Sequence, residues 1–142
     1  MRKYDDINDL VGKKILRIFA SEDHLQFETD EGPFCYHVEG DCCSRSFFYD
    51  FYGVKKLFEN GPVISTREVP LEVDPTTVKD DQCVVKAYGF EIVTENKEFG
   101  EQTSVFSFRN DSNGYYGGVI YLGEPRDVAT LKEITDDIAE IL

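Results

Sequence analysis

The segment LQFETDEGPFCYHV, residues 25–38, carries the clearest structural pattern in the chain. Apolar or β-branched residues occupy every second position from Leu25 to Thr29 and again from Phe34 to Val38. This alternation has the period of a half-buried strand, and the intervening Asp30-Glu31-Gly32 suits a tight turn. The segment therefore predicts a β-hairpin.

Runs rich in β-branched and aromatic residues lie on both sides of this hairpin and predict further strands. The predicted strands cover residues 13–19, 46–52, 63–69, 83–94, 104–109 and 115–122. The last two are separated by residues 110–114, where Asn and Gly tolerate positive φ, so a second hairpin is predicted there. The aromatic residues of the 46–52 run are assigned to core packing, because aromatic rings dominate core burial.

Two segments have helical spacing. Residues 53–60 predict two helical turns that end at Gly61-Pro62. Near the C-terminus, Thr130 and Glu133 form a candidate capping box, and apolar residues recur at helical intervals from Leu131 to Ile141. The predicted fold class is α+β: a mostly antiparallel sheet of about six or seven strands, with a short middle helix and a C-terminal helix packed on one face. Residues 1–142 are expected to form a single domain.

The chain is strongly acidic, with 15 Lys and Arg against 28 Asp and Glu and a formal charge of −13. Such a charge repels nucleic-acid phosphates and anionic lipid, so neither direct nucleic-acid binding nor membrane binding is expected. No apolar stretch approaches the roughly 18 residues of a membrane helix, and the N-terminus does not resemble a signal peptide. A cytoplasmic protein is expected. The oligomeric state cannot be inferred from the sequence.

Cys35, His37, Cys42 and Cys43 form the densest group of reactive side chains. Thiolate and imidazole groups bind zinc, but adjacent cysteines on a strand point apart, so the spacing is unusual for a zinc site. A nucleophilic thiol would need a cationic neighbour or a helix start, together with a base. Small apolar thiols at a packed sheet corner are the favoured interpretation, because free cysteine is among the most buried residue types. No catalytic residue, metal site or cofactor is predicted.

Several short motifs resemble a family of small uncharacterised domains of bacteriophages and bacteria that share an Asp-Cys-Cys motif. The matching motifs are Leu10-Val11-Gly12-Lys13-Lys14-Ile15, Gly40-Asp41-Cys42-Cys43, Gly61-Pro62-Val63-Ile64 and Ser112-Asn113-Gly114-Tyr115-Tyr116. The likeness covers most of residues 10–122. It implies a phage or bacterial intracellular setting and assigns no catalytic residue.

We expect a non-enzymatic, acidic protein-binding domain, acting as a phage or bacterial inhibitor of the counter-defence or toxin-immunity type on a basic protein partner. The predicted partner-binding residues are Glu133, Asp136, Asp137 and Glu140 on the C-terminal helix, with Tyr115 and Tyr116. One alternative is a small enzyme or zinc-supported domain centred on the Cys35 to Cys43 group. Another is a sponge for a nucleotide ligand, which would need a basic pocket from Arg45, Lys86 or Arg109.

Overall fold

A computed structural model describes residues 6–39, 44–71, 84–112 and 119–141, except for the side chains at 44, 45, 71, 84–86, 110–112 and 119. Within these residues the chain is almost entirely β-structure. In chain order, the elements are a 3-10 turn at Asn8–Leu10, β1 (Ile15–Ser21), β2 (His24–Thr29), β3 (Gly32–Glu39), β4 (Ser44–Tyr52), α1 (Val54–Glu59), β5 (Val63–Leu71), β6 (Val84–Asn96), β7 (Gly100–Ser112), β8 (Val119–Gly123), a 3-10 turn at Val128–Thr130, β9 (Lys132–Glu133) and β10 (Ile138–Glu140).

The strands form two five-stranded antiparallel sheets. The first sheet has the order β8-β3-β2-β1-β9, and the second has the order β10-β4-β7-β6-β5. Aromatic rings join them: the Phe27 centroid lies 6.3 Å from that of Phe51 and 6.1 Å from that of Phe106. Buried side chains of both sheets belong to one core cluster. The architecture is therefore a sandwich of two sheets packed face to face.

The hairpin predicted from residues 25–38 is confirmed as β2 and β3. Their register pairs Leu25 with Tyr36 and Thr29 with Gly32. Gly32 has φ +106°, a conformation that side-chain-bearing residues rarely adopt, so this end of the turn requires glycine. The Thr29 hydroxyl donates to the Gly32 carbonyl over 2.7 Å and closes the turn.

Helix α1 lies where the middle helix was predicted. It follows Gly53, whose φ of +76° and close approach to Ser104 leave little room for a side chain. At its other end the Lys14 ammonium donates to the carbonyls of Leu57, Phe58 and Asn60 over 3.0, 2.6 and 2.5 Å. A cation placed on the last carbonyls stabilises a helix C-terminus, which helps to explain how six residues remain helical.

The predicted α+β class and its C-terminal helix are wrong. The C-terminal residues instead give each sheet a short edge strand: β9 pairs with β1 and β10 pairs with β4. Ile134 donates its main-chain N–H to Ile18, and Ile141 donates to Tyr49. The segment is rich in Ile and Thr, which are weaker helix formers than Ala or Leu and fit strands well. Open sheet edges outcompete the helix that the apolar spacing suggested.

The prediction of one sheet of six or seven strands is also wrong, and so is the second hairpin. β7 pairs with β6 and β4, whereas β8 pairs with β3 in the other sheet. The chain therefore changes sheets between residues 112 and 119 instead of turning back on itself. None of the helices formed by the described residues has the length and apolar character needed to cross a membrane.

Candidate partner-binding surface

The acidic residues predicted to bind a partner do not share one helix face. Glu133 lies on the outer face of the first sheet, where Arg17 holds it through two hydrogen bonds of 2.9 and 3.0 Å. This hydrogen bond is the main reason that the pKa of Glu133 is lowered. The carboxylate of Glu133 is therefore already paired within the protein.

Asp137 has a structural role at the start of α1. Its carboxylate accepts a hydrogen bond from the main-chain N–H of Lys55 over 3.2 Å. Its main-chain carbonyl accepts from Gly53 and Val54 over 2.9 and 3.1 Å. These bonds satisfy donors that have no partner inside the helix. The neighbouring Asp136 is exposed in the turn before β10, and Tyr115 and Tyr116 lie outside the described residues.

The remaining predicted residue, Glu140, belongs to a surface at the edge of the second sheet. β10 lies along β4 with Ile138 opposite Tyr52 and Glu140 opposite Asp50. The intervening Ala139 packs against the core, so these four side chains lie on the outer face. Ile138 is 65% exposed and Tyr52 is 48% exposed. We call this surface the β4–β10 patch; it consists of Asp50, Tyr52, Ile138 and Glu140.

The patch has an unbalanced negative charge. Asp50 and Glu140 occupy directly opposite positions of the ladder, where like charges are destabilising. The pKa of Tyr52 is raised, first by the charge of Asp50, then by a hydrogen bond to Asp50, and to a smaller extent by Glu140. Among the described residues no ion pair involves either carboxylate. A cation brought by another molecule would relieve this repulsion.

Two nearby groups moderate the charge without neutralising it. The Ser107 hydroxyl donates to the Asp50 carboxylate and also accepts from the Asp50 main-chain N–H over 3.2 Å. The Lys132 ammonium donates to the main-chain carbonyl of Glu140 over 3.1 Å. Asp50 is thus held in place by its neighbours, which keeps the outward carboxylate in a defined position.

Sequence reasoning assigned two of the four patch residues, Tyr52 and Ile138, to other environments. The core-packing assignment holds for Phe48 and Phe51, both fully buried, but Tyr52 points outward. Ile138 was placed on the apolar stripe of a helix that does not form. Strand alternation could have identified Tyr52 as a surface residue, because successive side chains of a strand point to opposite faces and Phe51 faces the core.

Cys35 and His37, the described part of the reactive group, lie on the outer face of the first sheet. Cys35 is 1% exposed, and burial raises the pKa of its thiol to about 12. A thiol that stays protonated is a poor nucleophile and a poor metal ligand. Cys42 and Cys43 lie outside the described residues, and among those described no three His, Cys, Asp or Glu side chains are grouped to hold a metal ion.

The half-buried His37 instead belongs to a polar cluster with the buried His24 and Gln26. The Nδ1 atoms of the two histidines lie 3.2 Å apart, and His24 Nε2 lies 2.7 Å from Gln26 Oε1. His37 Nε2 lies 2.7 Å from the main-chain carbonyl of Glu124. His24 and Gln26 are 0% and 2% exposed although they face away from the core. The histidine pair also stacks on Tyr121 through His37, with centroids 5.7 Å apart.

The backbone at the end of β8 lies close against this cluster. A Cβ atom added at Gly123 would lie 2.2 Å from Cδ2 and 2.7 Å from Nε2 of the His37 ring. Arg126 then forms an ion pair with Asp23, with a shortest distance of 2.9 Å. Glycine is required at position 123 because the chain passes directly against the imidazole ring.

Of the three basic residues considered for a nucleotide site, Arg109 is the one whose side chain belongs to the described part of the structure. The Arg109 guanidinium lies 3.7 Å from the centroid of Tyr49, as in a cation–π contact. The side chains of Arg45 and Lys86 lie outside the described part. Two surface depressions of about 340 and 390 Å³ flank β5, and neither is lined by His or Cys.

The comparisons with known proteins identify a family without assigning a function. The profile of a domain family of unknown function, DUF7448, matches residues 8–122, from the first 3-10 turn into β8. Neither the curated proteins nor the solved structures gave a match. The matched region includes the histidine pair and β4, and it ends before β9 and β10. Because the profile spans well over half of the chain, the protein belongs to the DUF7448 family.

Proposed function

We propose that this protein is a non-enzymatic binding domain that docks a basic protein partner on the β4–β10 patch. The observation that carries the proposal is an exposed apolar pair, Tyr52 and Ile138, beside two opposed carboxylates that lack ion pairs among the described residues. Protein interfaces combine a desolvated centre with a polar rim, and Tyr is enriched in them. The patch has both features.

The charge of the patch favours a cationic partner. The chain carries a formal charge of −13, which speeds the encounter with a positively charged protein. Within the patch, a Lys or Arg side chain between Asp50 and Glu140 would replace their mutual repulsion by two attractions. An apolar or aromatic side chain next to that cation would cover Ile138. The partner surface is therefore expected to present an apolar residue adjacent to a basic one.

The proposal includes the setting implied by the resemblance of the Asp41-Cys42-Cys43 region. In a phage or bacterial cytoplasm, an acidic domain of this kind would act as an inhibitor of a host defence protein or as an immunity protein against a toxin. Carboxylates held in fixed positions can occupy a basic surface that otherwise binds phosphate. This form of the proposal predicts that the partner is itself a nucleic-acid-binding protein.

The test uses two matched double variants. Ile138→Thr with Glu140→Gln removes one exposed apolar side chain and one carboxylate from the patch. Phe99→Thr with Glu101→Gln likewise removes one exposed apolar side chain and one carboxylate, but from the β6–β7 hairpin, where Phe99 is 74% exposed. Tagged wild-type and variant proteins are used for affinity capture from bacterial lysate at low and high salt.

We expect wild type and the hairpin variant to capture the same protein at low salt, with less at high salt. The patch variant should bind the captured protein about tenfold more weakly or worse, because truncating central interface residues typically costs 1–2 kcal/mol or more. Equal melting temperatures for the three proteins would exclude a folding defect. Failure to capture a partner at either salt, or equal binding by the patch variant, would contradict the proposal.

A further inference from the structure

The histidine pair, in which His24 is buried and His37 is half-buried, has hydrogen-bond partners that fix the number of its protons. His24 and His37 are the chain's two histidines, and β2 and β3 place them directly opposite each other. Their rings meet edge to face, with centroids 4.4 Å apart and the two Nδ1 atoms 3.2 Å apart. The protons on the other ring nitrogens follow from the groups that those nitrogens contact.

The orientation of Gln26 fixes the tautomer of His24. The Arg126 main-chain N–H, which is solely a donor, lies 3.0 Å from Gln26 Oε1, and Gln26 Nε2 lies 3.0 Å from the Glu28 carboxylate. Exchanging the amide oxygen and nitrogen would set donor against donor at Arg126 and acceptor against acceptor at Glu28, and both bonds would be lost. Since Oε1 is an acceptor, His24 Nε2 must carry the proton in their 2.7 Å contact.

The same reasoning applies to His37. Its Nε2 lies 2.7 Å from the main-chain carbonyl oxygen of Glu124, which has no proton to donate. His37 Nε2 must therefore also carry a proton. With both Nε2 atoms protonated, a neutral pair would direct two lone pairs at each other across 3.2 Å, and a doubly charged pair would direct two N–H groups at each other. One proton between the Nδ1 atoms satisfies all three contacts.

We propose that His24 and His37 hold a single proton between their Nδ1 atoms, and that this shared proton fastens residues 124–126 to the outer face of the first sheet. Besides the Arg126–Asp23 ion pair, two anchors of that segment depend on the histidine pair: Glu124 accepts from His37, and Arg126 donates to the glutamine that His24 binds. Loss of the proton forces one histidine to change tautomer, and one of the two Nε2 contacts is then lost. The pair is a proton-dependent clasp.

Charged groups on every neighbouring element act on this proton. Asp23, in the turn before β2, favours it, and Arg126 opposes it while paired with that aspartate. Glu28 on β2, Glu39 on β3 and the carboxylate of Glu124 add negative charge at the same face, and Cys35 on β3 and Tyr121 on β8 are the neighbouring weak acids. Burial is the largest influence on His24 and lowers its pKa. The hydrogen bond to Gln26 opposes that influence, whereas a positive charge on His37 adds to it.

A metal ion is the other cation that two imidazole nitrogens could share. Structural zinc needs four ligands, and the described residues supply no group of three His, Cys, Asp or Glu side chains. A proton needs only the two facing nitrogens. The clasp bears on the proposed function, because residues 124–126 lead to β10 and so to Ile138 and Glu140; the clasp itself is independent of any partner.

The direct test is nitrogen-detected NMR of the imidazole groups in the chain without partner, from about pH 5 to about pH 9, the range in which histidine titrates. Because there are two histidines, every imidazole signal reports the pair. We expect both Nε2 atoms to be protonated, one strongly deshielded proton coupled to the Nδ1 atoms, and loss of that proton in one step seen by both rings. Two independent titrations, or a pair neutral across the range, would overturn the proposal.

Hydrogen exchange tests whether the proton fastens the segment. The protection factor of the Arg126 amide is compared with that of Gly61, whose amide bonds Glu95 at the far end of the structure. Their ratio should fall about tenfold as the shared proton is lost, the loss expected for a hydrogen bond to a charged group. His37→Phe keeps a ring but no nitrogen and should abolish the pH dependence, whereas Glu59→Gln should retain it. A ratio that is independent of pH in wild type would refute the clasp.

Discussion

The substitution Gly123→Ala tests the geometry around the histidine pair. The added Cβ would lie 2.2 Å from His37 Cδ2, more than 1 Å inside ordinary contact. The ring cannot move aside freely, because its two nitrogens bond Glu124 and His24 and its face stacks on Tyr121. Overpacking of this kind costs about 1–3 kcal/mol, and each lost hydrogen bond adds about 1 kcal/mol. We expect the free energy of unfolding to fall by about 2–4 kcal/mol.

Urea denaturation followed by circular dichroism measures this change as a lower midpoint at unchanged slope. The matched control is Gly61→Ala, where the nearest heavy atom to an added Cβ is 3.9 Å away. That variant should lie within about 0.5 kcal/mol of wild type. In the double variant Gly123→Ala with His37→Ala, most of the clash should disappear, because the ring is gone. A Gly123→Ala protein as stable as the Gly61→Ala control would show that the backbone does not press on His37.

Two further predictions concern single side chains. Lys14→Met should lower the free energy of unfolding, measured by urea denaturation, by about 1–3 kcal/mol, because three carbonyls at the end of α1 lose their ammonium donor. The control Lys55→Met, on the exposed face of α1, should change the free energy of unfolding little. Equal effects of the two substitutions would contradict the capping role of Lys14. Burial raises the pKa of the Cys35 thiol to about 12, so Cys35 should resist iodoacetamide at pH 8 in the native protein and react after unfolding. Peptide mass spectrometry identifies the modified residue. Rapid modification of Cys35 in the native protein would contradict its burial.

The local part of the fold could be predicted from the sequence, and the long-range part could not. Alternation from Leu25 to Val38 identified the β2–β3 hairpin, because both strands and their turn lie within one short segment. Helix α1 was predictable from its apolar spacing and from Gly61-Pro62. The assignment of β8 to the first sheet depends on pairing with β3, more than 80 positions away, and no local pattern encodes such a pairing.

The C-terminal segment shows why periodicity alone misled. Ile134 and Ile141 are both buried, so the apolar spacing reported real burial but not its cause. The two residues enter the core directly after two separate short strands, β9 and β10, and Ile138 between them is exposed. The same spacing of apolar residues fits a helix and an extended chain that contacts the core at intervals. The extended form is adopted because it can pair with the open edges of β1 and β4.

For the candidate surface, the sequence predicted the acidic character but only one of the four residues, Glu140. The acidic character and the inclusion of Glu140 came from composition and charge. Asp50, Tyr52 and Ile138 depend on the pairing of β10 with β4, which brings together residues more than 80 positions apart. Of the histidine pair, the sequence identified only His37, because cysteines lie close to it in the chain, whereas no sequence feature indicated His24. Its partner is found by the register of the hairpin and not by sequence proximity.

The pairing of one short segment with both sheets has a consequence for self-association. β9 covers part of β1, and β10 covers part of β4, so detachment of residues 124–141 would bare two strand margins at the same time. Unpaired margins recruit strands from other molecules and seed aggregates. The C-terminal strands therefore protect the edges of β1 and β4, and conditions that detach these strands should be the first to cause visible aggregation.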